Sequence, residues 1–134
     1  MQLALWKGGC RVNEEECFTI LSIGGNQTIL NLRKLILEDQ GYRVITCDDL
    51  NRSLTIVNEE AINLIVWDFR TVAHMDDMQC AKKIRKIKPD VPIIFCIRIP
   101  GEISDKNEIG AEVHVKIDGP EKLIERVSAV LKKK

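Results

Sequence analysis

Five residues sit where a fold of alternating strands and helices gathers its chemistry. Gly24, Gly25, Asp68, Ile97 and Lys116 each lie at the end of a short apolar run. In a parallel sheet the site lies beyond those C-terminal strand ends. Asp68 and Lys116 are the ionisable pair among them, and the plainest reading is an ion pair between two strand ends. Gly24-Gly25-Asn26 allows a sharper one. A strand, a glycine turn and a helix N-terminus form a ready site for a small anion or nucleotide phosphate. The spacing G-x-G-x-x-G and the Walker lysine are both missing, so a tight turn is the simpler account. His74 and His114 belong to no H-x-x-x-H pair, and the cysteines to no C-x-x-C pair, which leaves no metal-ligand pattern. Asp76-Asp77 reads as a helix start. No Ser–His–Asp or Cys–His arrangement is present, and action on a separate substrate is disfavoured.

The elements that must position these residues follow from periodicity. Phe18 to Ile23 is a continuous apolar run ending at Gly24-Gly25. Asn26 is placed to cap a helix whose apolar face is expected at Ile29, Leu32, Leu35 and Ile36. Gly41 ends it with a left-handed cap. Arg43–Cys47 is a second strand, followed by a helix carrying Leu50, Leu54, Val57 and Ala61. Leu64–Trp67 lacks polar alternation, which predicts burial on both faces in the middle of a sheet, with Asp68 at its end. A helix over about 76–88 presents Met78, Ala81, Ile84 and Ile87, and Pro89 stops it. Residues 92–97 form a fourth strand and 113–116 a short fifth. The last helix starts near Pro120-Glu121 and carries Leu123, Ile124, Val127 and Val130. Five strand–helix alternations predict a doubly wound parallel sheet with helices on both faces. Residues 1–17 fall outside the pattern, and both packing on the domain and disorder are open for them.

The chain has 134 residues, 45% hydrophobic and 30% charged, enough for one core. Twenty basic and twenty acidic residues cancel, so no basic excess points to nucleic acid or an anionic membrane. The lysines at 132–134 read as a solvated helix end. No stretch matches a signal peptide or a membrane span, and the cytoplasm is the expected compartment. Cys47, Cys80 and Cys96 sit in apolar segments, as buried free thiols of a reducing compartment do. Cys10 and Cys17 lie outside the core pattern, where a redox role stays open.

From about Phe18 to the C-terminus, order and spacing resemble the receiver domain of two-component response regulators. Leu64-Ile65-Val66-Trp67-Asp68, then a loop and Met75-Asp76-Asp77, is similar to the family's phospho-acceptor strand and its M-D-G turn, with one extra residue between. Lys116-Ile117-Asp118-Gly119-Pro120-Glu121-Lys122-Leu123 resembles K-P-F-x-P-E-E-L, and Gly110-Ala111 matches the family's G-A. The resemblance implies a flavodoxin-like, three-layer α/β/α domain over 18–134, with strand order 2-1-3-4-5, two helices on one face and three on the other. It implies Asp68 as phospho-acceptor, a carboxylate able to hold an acyl phosphate, and Lys116 as the cation pairing with the phosphoryl oxygens. It also implies a non-enzymatic signalling module of a phosphorelay. Its partner would be a histidine kinase, a downstream regulator or a second copy, met through the fourth helix, fifth strand and fifth helix.

The departures are as informative. Counting back from Gly41, the family's magnesium-binding acidic pair falls on Gly24 and Gly25, which offer no side-chain oxygen to a hard cation. Losing that charge neutralisation raises the barrier to phosphoryl transfer by several kcal/mol, with tenfold in rate for each ~1.4 kcal/mol. Ile97 replaces the switch hydroxyl, Val113 or His114 the switch aromatic, and Ile117 the proline after the lysine. Pro100-Gly101 interrupts a short stretch where the fourth helix belongs. The expected molecule is a pseudo-receiver with no cofactor, acting by protein–protein contact. The alternatives are a genuine phospho-acceptor on Asp68 and an anion or nucleotide binder at Gly24-Gly25.

Overall fold

The computed structural model describes residues 6–7, 10–11, 17–69, 74–98 and 109–132. Five strands, β1 (Thr19–Ile23), β2 (Arg43–Cys47), β3 (Leu64–Asp68), β4 (Ile93–Ile97) and β5 (Glu112–Val115), form one parallel sheet in the order β2-β1-β3-β4-β5. The helices are α1 (Gln27–Asp39), α2 (Leu50–Glu59), α3 (His74–Ile87) and the last helix, α4 (Gly119–Lys132). Outside the sheet, a two-residue antiparallel ladder pairs Trp6–Lys7 with Cys10–Arg11. The interrupted stretch at Pro100-Gly101 and the helix expected near it lie outside the described residues, so the three-helix face is described only in part.

Alternation along the strands sorts the core into two layers. Leu21, Ile65, Trp67, Phe95 and Ile97 pack towards α2 and α3, while Ile20, Leu64, Val66, Ile94 and Cys96 pack towards α1 and α4. Residues 64–68 are all buried, as a central strand flanked by two helical layers requires. Trp67 tilts onto Phe95 at a centroid distance of 5.8 Å, and Phe69 meets the same ring edge-on at 5.2 Å. Asn26 caps α1 by accepting from the Ile29 amide, and Asp49 caps α2 through the Asn51 and Arg52 amides. Gly41 takes φ 95°, the left-handed conformation that ends α1.

The register of α1 differs from its expected face. Leu30, Arg33 and Leu37 are its buried stripe, whereas Leu32 and Leu35 are 57% and 66% exposed. The helix is apolar on more than one side, and its docking angle on the sheet decides which side is covered. Ile87 at the end of α3 is likewise exposed, and Ala61 falls beyond α2 on the surface. Cys47, Cys80 and Cys96 are buried free thiols, while Cys17, ahead of the first strand, is disulfide-bonded. No helix among the described residues is long and apolar enough to cross a membrane.

Candidate functional site

Asp68 is the last residue of β3, and strand alternation turns its side chain to the layer of α1 and α4, with Leu64 and Val66. Parallel register then builds a row across the strand ends. Asp68 pairs with Cys96, and Cys96 with His114. On the other flank, Gly24 follows the Ile23–Trp67 pair and presses against Asp68. A Cβ added to Gly24 would meet the Asp68 Cβ at 2.9 Å and its Oδ2 at 3.6 Å. Gly24 has no positive φ, so contact rather than backbone conformation favours glycine there.

Two cations converge on one oxygen of Asp68. Lys116, on the 3₁₀ turn Lys116–Asp118 after β5, brings Nζ to 2.5 Å of Oδ1. Arg33 reaches over from α1 and places Nη1 3.7 Å from the same oxygen, with only 10% of its side chain exposed. At an effective dielectric of 20 these separations correspond to roughly 4–7 kcal/mol of gross attraction per pair. Desolvation takes back much of that. Arg33 is the site residue that sequence reasoning missed. The signal was there, a charged residue within the Leu30–Leu37 stripe, but a helix with several apolar stripes hid it.

Cys96 and His114 complete the row. Burial pushes the Cys96 thiol up to about 11; Arg33 and Lys116 act against the rise and Asp68 adds to it. His114 is buried, and that burial, with the Arg126 charge, holds its imidazole below the ordinary value. The remaining expected positions are dispersed. Gly25 is exposed. Ile97 and Val113 pack in the opposite layer, towards α2 and α3, and do not join Asp68. The side chains of His74 and Ile117 lie outside the described residues.

Magnesium, which a receiver would hold here, does not fit these side chains. The neighbour of Asp68 at the end of β1 is Gly24, which offers no side-chain oxygen to a hard cation, and an arginine already approaches the Asp68 oxygen. Among the described residues no group of three or more His, Cys, Asp or Glu is placed to hold a metal ion.

Comparison with known proteins agrees with the geometry. The family model of the response regulator receiver domain matches residues 20–115. The chain is 31% identical over 86 residues to the transcriptional regulatory protein GlrR of Escherichia coli, covering 64% of this chain and 19% of that protein. It is 30% identical over 118 residues to the alkaline phosphatase synthesis transcriptional regulatory protein PhoP of Bacillus subtilis, covering 85% and 48%. It thus spans half or less of the length of these relatives. The chemotaxis response regulator CheY4 of Vibrio cholerae superposes with a TM-score of 0.76 at 22% identity, over 86% of this chain and 99% of that one. A CheY-like receiver from Methanospirillum hungatei gives a TM-score of 0.75, also at 22% identity, over 88% and 96%. Receivers are signalling domains rather than enzymes, and this chain belongs to the response-regulator receiver family.

Proposed function

We propose that this domain is a divergent receiver that signals through protein–protein contact and does not depend on magnesium-assisted phosphorylation of Asp68. The observation that carries this reading is the crowding of Asp68. Lys116 and Arg33 both lie on Oδ1, and Gly24 stands where a receiver needs an acid. The carboxylate is already neutralised by two cations of the protein itself. In receivers a metal and an arriving phosphoryl group change the charge at this point, and that change drives the switch. Here a fixed guanidinium supplies part of that charge at all times. Ile97 at the switch position packs in the apolar layer and has no hydroxyl to follow a phosphoryl oxygen.

The partner in this reading is a histidine kinase, a downstream regulator or a second copy of the chain. Asp68 remains the residue where phosphorylation would occur. Intact mass after incubation with acetyl phosphate and magnesium, wild type beside Asp68→Asn, tests the proposal. No adduct on either protein is expected. A single phosphoryl adduct that disappears in Asp68→Asn would make the domain a working phospho-acceptor.

A further inference from the structure

Beside the Asp68 cluster, a cleft of about 250 Å³ opens between α1 and α4. One end is basic, lined by Arg33, His114 and Lys116, and the walls include Leu32, Ile36 and Leu123. Arg33 and His114 are 9% and 3% exposed; Arg33 Nη1 meets Asp68 Oδ1 only at 3.7 Å, beyond hydrogen-bond range, and His114 Nδ1 has no hydrogen-bond partner among the described residues. Leaving a buried polar group unpaired is costly, and more so for a charged one. Both residues line the cleft, and a polar occupant there would offer them the hydrogen bonds they lack.

We infer that this cleft binds a small organic monocarboxylate, its head on Arg33 and His114 and its apolar body against Leu32, Ile36 and Leu123. Charge selects the head. Arg33 and Lys116 carry two positive charges against the one negative charge of Asp68, burial disfavours the charged form of His114, and the neighbouring Arg126 and Asp118 charges offset each other. The surplus is a single positive charge, which a monoanion cancels and a phosphate dianion overfills. Shape points the same way, because a guanidinium fork matches a planar carboxylate. Size limits the body, since drug-sized pockets run about 300–1,000 Å³. Leu32, 57% exposed at the rim, would be covered by the ligand. Because Arg33 also faces Asp68, an occupant drawing on its guanidinium would alter the charge around Asp68 without any phosphoryl transfer. The site stands whether or not Asp68 accepts a phosphoryl group.

The test is titration of the full chain with hexanoate and benzoate, beside hexanol, benzyl alcohol and inorganic phosphate. Nitrogen-detected shifts of the Arg33 and His114 side chains provide the readout. Saturable shifts with at least one carboxylate are expected, and none with the alcohols. Arg33→Met should weaken that binding at least tenfold, as should Leu32→Glu, which puts a like charge on an exposed rim position without touching the core. The inference is overturned if neither carboxylate saturates, if an alcohol binds equally well, if phosphate binds more tightly, or if binding is unchanged in a folded variant.

Discussion

A Cβ on Gly24 would lie 2.9 Å from the Cβ of Asp68, closer than two such atoms can pack. A side chain at this position therefore requires Asp68 or the backbone around it to shift. Gly24→Ala is expected to cost about 1–3 kcal/mol, as overpacking does in a close-packed interior. Gly25 is exposed, and Gly25→Ala should stay within about 0.5 kcal/mol. Urea denaturation of the two variants checks the difference, and equal costs would show that the contact does not matter.

Asp68 is the anion that both Arg33 and Lys116 approach. Asp68→Asn should therefore destabilise by about 1–3 kcal/mol. That is less than breaking a fully buried pair, because the Lys116 side chain is 28% exposed and partly screened. A double-mutant cycle with Lys116→Met should show coupling of about 0.5–2 kcal/mol. Additive losses would mean that the contact is incidental.

Arg33 gives the opposite expectation. Its guanidinium is buried on the core face of α1, beside Leu30 and Leu37, with Nη1 3.7 Å from Asp68 Oδ1 and without a hydrogen bond. Desolvation of a buried charge can outweigh its attraction, and Asp68 keeps Lys116 when Arg33 is replaced by an apolar side chain. Arg33→Leu should leave stability unchanged or raise it by about 1 kcal/mol in chemical denaturation, which would place the value of the arginine in function. A loss above about 2 kcal/mol would instead make it a structural counter-ion.

His114 sets a pH dependence with a definite sign. Burial first, then Arg126, holds its folded-state pKa below the ordinary 6.5, while Asp118 opposes and Arg33 adds to the depression. Between the folded pKa and 6.5 the unfolded chain binds more protons, so stability rises with pH across that window and falls as acid is added. His114→Val should reduce the loss between about pH 7.5 and about pH 5.5 relative to wild type, measured by urea unfolding at both values. An equal or larger loss in the variant would contradict this.

Most of the fold could be read from the sequence because each strand is a short apolar run punctuated by Gly, Pro or an N-cap. Leu64 to Asp68 shows this best. The absence of polar alternation predicts a strand buried on both faces, with Asp68 at its end. The pairing of Asp68 with Lys116 follows from two strand ends on one edge of a parallel sheet. Arg33 was not legible. Ile29, Leu32, Leu35 and Ile36 satisfy helical spacing as well as Leu30, Arg33 and Leu37 do, and charged residues are rarely fully buried. Only the docking of α1 on the sheet, a tertiary effect, selects between the two stripes. The same holds for His114, whose side of β5 depends on a register that one short strand does not declare.

The most direct test of the central claim is a magnesium titration of the isotope-labelled domain, with and without beryllofluoride as a phosphoryl mimic. Amide shifts at Gly24, Asp68, Phe69 and Lys116 are the readout. No saturable, magnesium-dependent change is expected at these residues. A saturable shift that requires both magnesium and beryllofluoride, and is lost in Asp68→Asn, would contradict it and return the domain to the working receivers.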